Sequence, residues 1–431
     1  MTGVLAMRRA LVRPVARTFI ARYSGRAAVA ALFVVLPLVF RSGTALTMMS
    51  LMGISIVFAL SYNVLLGQTG LLSFGHAVYF GLGAYFAVHC MNAVITGGLP
   101  APLPVIPLAG GLGGLAFAIL LGWVSTKRSG TAFAMISLGF GELVGSSVLI
   151  LRSFFGGEEG VTTDRTRLPR LFGMGFGQQV EVYYLIAAWC LLCMFLMYRF
   201  TRTPLGRMCN AVRDNAERVQ FVGYNPQVVR FLAFCASGFF AGIAGGLATI
   251  HFEIANSAYF SATQSGNVLL ATFIGGSGYF FGPVIGAVLV SYLQVMLSDV
   301  TEIWQLYFGL LFIVMVVFAP QGIAGLLMMH RPLWSKGGLP KVAAAYAIAL
   351  APALVMLTGV ALVIEMIYRL AVKAADGPDM TFLTVPLAAN HLLAWLSAGA
   401  LMAGGFVLFR VTWPVVAAAW ASGESRKEQP R

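Results

Sequence analysis

Charge is what this sequence has least of. Lysine, arginine, aspartate and glutamate make up only 10% of the 431 residues, whereas apolar residues make up 59% and the mean hydropathy is +0.85. Long apolar runs with few charges are typical of helices that cross a lipid bilayer. The composition therefore excludes an ordinary soluble domain and predicts an integral membrane protein.

Lysine is scarce, and no lysine follows a glycine. A phosphate-binding P-loop needs a Gly-Lys pair followed by serine or threonine, because that lysine and the glycine-rich backbone hold the phosphates. The five lysines are Lys127, Lys336, Lys341, Lys373 and Lys427. We therefore expect that this chain does not bind and hydrolyse ATP through a motif of that kind.

Patterns typical of metal sites and catalytic centres are also missing. The five histidines are scattered singly, and the five cysteines have no metal-ligand spacing. Cys190 and Cys193 form a C-x-x-C pair, but it lies in the apolar run AAWCLLCMFLMY, so we interpret both as small core residues rather than a redox pair. We expect no catalytic residue, no metal and no cofactor in this chain, which is predicted not to be an enzyme.

Apolar segments recur along nearly the whole chain. They predict an all-α polytopic helical bundle with about ten core spans, helices broken at glycine-rich points, and two extra C-terminal spans. The predicted segments are 27–42, 45–66, 73–94, 104–124, 131–152, 179–199, 229–250, 264–276, 282–298, 303–319, 342–368 and 386–410.

The basic residues predict the orientation of these spans. With the N-terminus in the cytoplasm and spans that alternate, 21 of the 28 lysines and arginines fall in cytoplasmic segments. Such an excess follows the positive-inside rule, which also explains the net charge of +13 without a nucleic-acid partner. Both termini are therefore predicted to be cytoplasmic.

One polar block, GRMCNAVRDNAERVQFVGYNP at 206–226, interrupts the apolar pattern. Pro204 is suited to a helix start, apolar residues recur at helical spacing, and Gly223 with Asn225-Pro226 is suited to a helix stop. The pattern predicts a short amphipathic helix on the cytoplasmic side. The residues alone leave two interpretations, a solvated loop helix near lipid headgroups or a docking surface for a soluble partner.

Two glycine-rich breaks are candidates for a substrate pathway. The first break, residues 67–75, and the second break, residues 275–282, both lie on the predicted cytoplasmic side. Broken helices expose backbone groups that need protein or a water-lined cavity, and their ends can contact charged groups of a substrate. The alternative is that the glycines only allow close helix packing. The predicted pathway residues are Asn63, Gln68, Ser73, His76, Tyr79, Glu142, Thr272 and Ser277.

Glu142 is the only acidic residue well inside a predicted span. A carboxylate at that depth is costly and marks either a structural hydrogen bond between helices or a pathway or gating group. Both alternatives remain open at this point.

Six stretches, in order, resemble the branched-chain amino-acid type of ABC importer permease. The first contains the S-x-G-H and G-x-G-A-Y elements of that family's signature, and the second ends in the span that carries a glutamate. The stretches are SYNVLLGQTGLLSFGHAVYFGLGAY (61–85), RSGTAFAMISLGFGEL (128–143), FFGGEEGVT (154–162), PLGRMCNAVRDNAERVQFVGYN (204–225), GGSGYFFGPVIGA (275–287) and FAPQGIAGLL (318–327).

The resemblance implies a domain plan and a role for the polar block. It implies a basic cytoplasmic segment at 1–26, a permease core at 27–327, and an extension at 328–431 with two spans that the family does not need. It also implies that the block is a coupling helix that docks on a cytoplasmic ATPase. The implied coupling residues are Arg207, Ala211, Arg213, Asp214, Asn215, Glu217 and Gly223.

The resemblance further implies partners, location and substrate. A second related permease, two cytoplasmic ATPase subunits that carry ATP and magnesium, and an extracytoplasmic substrate-binding protein are expected in a bacterial inner membrane. The expected substrate is a small amino acid, branched-chain or hydrophobic. The alternatives are urea, amides or small carboxylates carried by the same family, and an ion-coupled secondary transporter.

Overall fold

The computed structural model describes residues 28–98, 100–170, 173, 175–335, 339–383 and 385–425. The predicted basic segment at 1–26 and the polar end of the chain at 426–431 lie outside the described residues. The chain forms two compact units, residues 1–326 and residues 327–431.

The first unit is built from helices that follow the apolar pattern of the sequence. In chain order they are α1 (Ala28–Val39), α2 (Gly43–Thr69), α3 (Ala77–Ile95), α4 (Ile106–Ser125), α5 (Thr131–Ile150), α6 (Arg152–Phe155), α7 (Gln179–Arg202), α8 (Pro204–Asp214), α9 (Ala216–Phe221), α10 (Pro226–Phe252), α11 (Ala262–Gly275), α12 (Gly282–Val300), α13 (Trp304–Phe318) and α14 (Gly322–Ser335), which extends past the end of the unit.

The predicted fold class is confirmed. Within the described residues, nine helices are long and apolar enough to cross a membrane, or ten if the bent pair of α13 and α14 is one span. Three predicted core spans contain helices shorter than a bilayer requires. They are the described part of α1, the 14-residue α11 and the 15-residue α13, which is long enough only together with α14. The helix α11, for example, is about 21 Å long, whereas the hydrocarbon core is about 30 Å thick.

Three helices, α3, α4 and α10, cross at glycines and form the centre of the first unit. A Cβ atom on Gly83 would meet the backbone of Gly242, and one on Gly245 would meet the carbonyl oxygen of Phe80. A Cβ on Gly114 would meet the carbonyl of Gly238. Small residues let membrane helices approach closely, which explains why α10 is among the most buried helices of the bundle.

The polar block forms two helices rather than the one predicted. α8 begins after Thr203, whose hydroxyl accepts a hydrogen bond from Gly206 N. Asn215 then adopts an extended backbone, and its side chain caps α9 by accepting a hydrogen bond from Arg218 N at 2.9 Å. The single-helix prediction is wrong because asparagine is a strong N-cap and ends the first helix to begin a second.

At the opposite end of the bundle, a small sheet joins the loop after α6 to the end of α10. β1 (Val161–Thr162) pairs antiparallel with β2 (Ile254–Ala255). Arg165 lies 3.8 Å from Glu253 and donates hydrogen bonds to the carbonyls of Phe176, Ile250 and His251. These contacts hold this loop, which is predicted to lie on the outer side, against the end of α10.

Asp164 in this loop is partly exposed and accepts hydrogen bonds from Thr166. The Thr166 hydroxyl donates to Asp164 Oδ1, and so does the backbone N–H of Thr166. These hydrogen bonds hold the pKa of the Asp164 carboxyl below its ordinary value. The loop therefore keeps a negative charge at its surface.

The second unit is a helical hairpin with a small sheet. α15 (Leu339–Ala371) and α16 (Leu392–Ser425) pack together, with Gly359 against Met402 and Gly405 against Met356. Between them, β3 (Asp379–Phe382) pairs with β4 (Val385–Ala388). Both long helices are apolar enough to span a membrane, as the sequence predicts.

Candidate functional site

The polar block is attached to the bundle through one apolar face. Cys209, Val212 and Val219 are buried against Val229 and Ala233 of α10. Burial raises the pKa of the Cys209 thiol to about 12, so this thiol is protonated and behaves as a small core side chain. The opposite face of α8 and α9 is left open to water.

Most of the predicted coupling residues lie on that open face. Ala211 is half-buried and packs against the apolar cluster, whereas the others are exposed: Arg207, Arg213, Asp214, Asn215, Glu217 and Gly223.

Arg213 differs from its neighbours because its guanidinium contacts the helix bundle. Arg213 Nη1 donates a hydrogen bond to the carbonyl oxygen of Gly67 near the end of α2. Its Nε also lies 3.3 Å from Asp214 Oδ1. This residue therefore connects α8 to the first break rather than serving only as a surface charge.

The block also presents an apolar tip that the sequence analysis missed. Phe221 is 91% exposed, Val222 68% and Tyr224 51%, at the end of α9 and in the turn that follows. We call these three residues the apolar tip. Exposed aromatic and aliphatic side chains that protrude together are typical of anchors for a protein partner. The available signal was Phe221, an apolar residue that falls outside the helical spacing of the block's other apolar residues, whereas Val222 follows that spacing and was expected on the buried face.

The two breaks meet at the same end of the bundle as the polar block. A Cβ on Gly67 would lie 2.6 Å from the carbonyl oxygen of Ser277 and would also meet the side chain of Asn63. Asn63 is buried, and its Oδ1 has no hydrogen-bond partner among the described residues. The structure thus brings Asn63, Ser277 and Arg213 together around Gly67. Gln68 is half-buried beside them.

The rest of the first break is a closed polar core. Ser61 Oγ and His76 Nε2 are hydrogen-bonded at 3.1 Å, and the Tyr62 hydroxyl donates to the carbonyl of Ser73 at 3.0 Å. The backbone N–H of Ala77 donates to Ser265 Oγ of α11 at 3.1 Å. This network connects α2, α3 and α11.

Several predicted pathway residues are therefore inaccessible in this conformation. Ser73, His76, Tyr79 and Thr272 are all buried, and the Thr272 hydroxyl donates to Val268 O at 2.8 Å within its own helix. A Cβ on Gly75 would meet the carbonyl of Ser137. The geometry at this break favours close helix packing over an open path, and the pathway role of these residues stays a prediction.

Glu142 lies on an exposed face of α5. Gly139, Glu142 and Ser146 fall three or four residues apart, so they share one side of the helix, and all three are exposed. Within the described part of the chain, the Glu142 carboxylate has no hydrogen bond or ion pair. A structural hydrogen bond between helices of this subunit, one of the two alternatives, is thus not found there.

A further polar cluster was not predicted from the sequence. α2, α11 and α12 surround a cavity of about 60 Å³ whose polar lining is Ser55, Gln264, Asn267, Ser291 and Gln294. The sequence carries one indication of this cluster, which is the spacing of its polar residues. Gln264 and Asn267 lie three residues apart in one apolar helix, and Ser291 and Gln294 lie three residues apart in the next. The metal-ligating residues of the described chain form no cluster that could hold an ion.

Comparison with known proteins assigns this architecture to a family. Residues 44–320 match the family model described as the permease component of the branched-chain amino acid transport system. The high-affinity branched-chain amino acid transport system permease protein LivM of Escherichia coli is 30% identical over 313 residues, which cover 67% of this chain and 71% of that protein.

Two further relatives are less similar in sequence. The permease protein LivH of Salmonella typhimurium, from a transport system of the same description, is 23% identical and matches over 62% of this chain and 90% of its own length. A probable branched-chain amino acid transport permease protein LivM of Methanocaldococcus jannaschii is also 23% identical, over 63% and 90% of the two chains. No solved structure matches the chain significantly.

Proposed function

Because this chain belongs to the family of permease components of branched-chain amino acid transport systems, we propose that it moves a small branched-chain or hydrophobic amino acid across the membrane. It is a multi-pass membrane permease of the ABC importer type. The single observation that carries the proposal is the match over 44–320, which spans the helices from α2 to α13, both breaks and the proposed coupling helices, α8 and α9.

The proposed partners follow from the two kinds of relative. Similarity to both LivM and LivH supports a pair of related permeases in one transporter. We assign ATP and magnesium to two cytoplasmic ATPase subunits and first substrate selection to an extracytoplasmic binding protein. The proposed location is a bacterial inner membrane with both termini in the cytoplasm, as the basic residues indicate.

The contacts suggest how force from the ATPases would reach the pathway. Closure of the ATPases would displace the apolar tip and α8. Arg213 would pass this displacement to Gly67 at the end of α2, and Gly67 abuts the Ser277 carbonyl at the second break. Both breaks would therefore move together and switch the access of the pathway from one side of the membrane to the other.

Purification with partners tests this proposal. The tagged chain, extracted gently from its native membrane, is expected to bring a second permease and an ATPase subunit, identified by mass spectrometry. Reconstituted with the binding protein, the complex should take up L-leucine only when ATP is supplied. Recovery of the chain alone, active under a membrane potential without ATP, would instead indicate an ion-coupled secondary transporter.

Replacing Arg213 by alanine is expected to uncouple the transporter without releasing the ATPase. A hydrogen bond to a charged group contributes about 1.5–3 kcal/mol, and 1.4 kcal/mol corresponds to about tenfold. We therefore expect ATP-driven uptake to fall about tenfold while the ATPase still copurifies. Arg218→Ala is the matched control, since Arg218 is exposed and its hydrogen bond to Asn215 uses only the backbone N–H. Equal uptake by both variants would contradict the role of Arg213.

The exposed face of α5 is proposed to contact the second permease and the pathway between the two subunits. A carboxylate at the bilayer centre costs about 2.5–3.5 kcal/mol when it faces lipid, so Glu142 needs a polar or aqueous neighbour. Gly139, one turn away, has no atom within 4 Å of the place of a Cβ. The open space beside Gly139 is where the partner would lie.

Gly139→Phe is therefore expected to disturb pairing without disturbing the subunit itself. The variant should accumulate in the membrane at the wild-type level, while recovery of the second permease with it falls at least fivefold. The control is Gly309→Phe in α13, because Gly309 is equally open and its exposed neighbours Leu306, Leu310 and Ile313 are apolar. Unchanged recovery of the second permease with Gly139→Phe would exclude this face as the contact.

A further inference from the structure

The cavity between α2, α11 and α12 has a polar side that its own helices do not satisfy. Gln264 and Asn267 come from α11, and Ser291 and Gln294 from α12. The side chains of these four residues make no hydrogen bond to any described residue. All four residues are half-buried, and polar groups removed from water are costly without a partner, so their side chains are available to bind a polar solute.

The position of the cavity suits a solute that enters from the outer side. α11 begins directly after the segment that includes β2 and follows the outer end of α10, and Gln264 lies in its first turn. Gln294 lies in the second half of α12, whose end is at the same side. The cavity is therefore in the half of the bundle away from the coupling helices.

The other side of the cavity is apolar. Its walls are formed by the side chains of Phe58, Val268, Ala271, Ala287 and Val290. A site that combines convergent polar groups with an aliphatic wall is typical of recognition of a small solute that has a polar end and an apolar end.

Charge limits the class of solute further. None of the residues around the cavity carries a charge. An amide side chain offers both a carbonyl oxygen, which accepts from an ammonium, and an NH₂ group, which donates to a carboxylate. Two or three such amides can therefore hold a zwitterion, whereas a solute with net charge would lie in an apolar bundle without a counter-ion.

We propose that this cavity is a transient subsite for the α-ammonium and α-carboxylate of a small neutral amino acid. Its volume of about 60 Å³ accommodates only a few heavy atoms, so the amino-acid head enters it and the side chain extends along the aliphatic wall or through the open side. The subsite rests on the proposed function and deepens it, because it selects neutral zwitterions over free carboxylates and amines.

The test uses the assembled importer in proteoliposomes with its binding protein and ATP. Gln264→Leu combined with Gln294→Leu is expected to lower L-leucine uptake at least tenfold while the ATPase and second permease still copurify. The matched control is Gln305→Leu, the same chemical change at an exposed position in the first turn of α13. Wild-type uptake by the double variant would overturn the subsite.

A second measurement does not depend on how well the double variant assembles. Ser291→Cys changes one atom of a lining residue, and a small methanethiosulfonate reagent should label it in the outward-open importer. L-leucine delivered by the binding protein should slow the labelling at least threefold, whereas 4-methylpentanoate and 3-methylbutylamine should not. Ser298→Cys, on the exposed part of α12, should show no such protection.

The outcomes separate the two proposals. If the wild-type importer does not transport L-leucine, the proposed substrate is wrong. The subsite is then wrong as well, whatever the labelling rate. If the wild type transports L-leucine but Ser291→Cys is not protected and the double variant is fully active, the function stands and the subsite is wrong. Protection by 4-methylpentanoate as strong as by L-leucine would overturn selection of the zwitterion.

Discussion

Replacing Phe221 and Val222 together by serine is expected to release the ATPase and to reduce ATP-driven uptake at least a hundredfold. Both side chains protrude into water in the isolated subunit. Burying an aliphatic or aromatic side chain contributes about 1.5–3 kcal/mol, and 2.8 kcal/mol corresponds to about a hundredfold in affinity. The measurement is copurification of the ATPase with the tagged permease, followed by uptake in proteoliposomes.

The same experiment contains its control. Gln220 is exposed on the same short helix but is polar already, so Gln220→Ser should leave both docking and uptake at the wild-type level. Because the tip residues are not part of the buried cluster around Val219, the Phe221 and Val222 substitutions should not lower the amount of subunit in the membrane. Full ATPase recovery with the double variant would refute the tip as the docking anchor.

Gly245→Leu is expected to prevent the first unit from folding. A Cβ at this position would overlap the carbonyl oxygen of Phe80 and lie 2.8 Å from Ala84 N, both backbone atoms of α3. Overpacking costs about 1–3 kcal/mol even where side chains can move, and here two helix backbones must separate. Fluorescence-detected size-exclusion chromatography of a tagged chain should show loss of the monodisperse peak.

The matched substitution is Gly309→Leu, which meets nothing within 4 Å. It adds the same apolar volume to a membrane helix and should keep the peak and its melting temperature. A Gly245→Leu variant that elutes and melts like the wild type would show that α3 and α10 do not cross as closely as described. Gly245→Ala should have a smaller effect in the same direction.

The helices were predictable because each depends on local sequence. Every predicted apolar segment contains a helix, since a segment in lipid must satisfy its backbone hydrogen bonds internally. The start of α8 at Pro204 was also predictable from a proline at the first helical position. The break at Asn215 was missed because apolar spacing was given more weight than the capping preference of asparagine.

The candidate site was only partly predictable, because the contacts of its polar residues depend on the folded bundle. His76 and Ser73 are polar residues in the first break, and the folded bundle buries both. His76 Nε2 is hydrogen-bonded to Ser61 Oγ and the backbone carbonyl of Ser73 accepts from Tyr62, whereas the Ser73 hydroxyl has no partner among the described residues. Gln264 and Gln294 belong to helices that only the folded bundle brings together. The sequence shows which residues at bilayer depth are polar, but it does not show which neighbouring groups form hydrogen bonds with them.

The amino-acid sequence by itself determined the membrane class, the span positions, the polar block and the family resemblance, because hydropathy, charge placement and motif order are properties of the chain in one dimension. Tertiary structure alone decided which face each polar residue occupies. Arg213 reaches Gly67 across 146 positions of the chain, and Glu142 is exposed although its helix is apolar. Such contacts depend on how helices cross, and helix crossing is set by close packing at glycines such as Gly83 and Gly245 rather than by any local pattern.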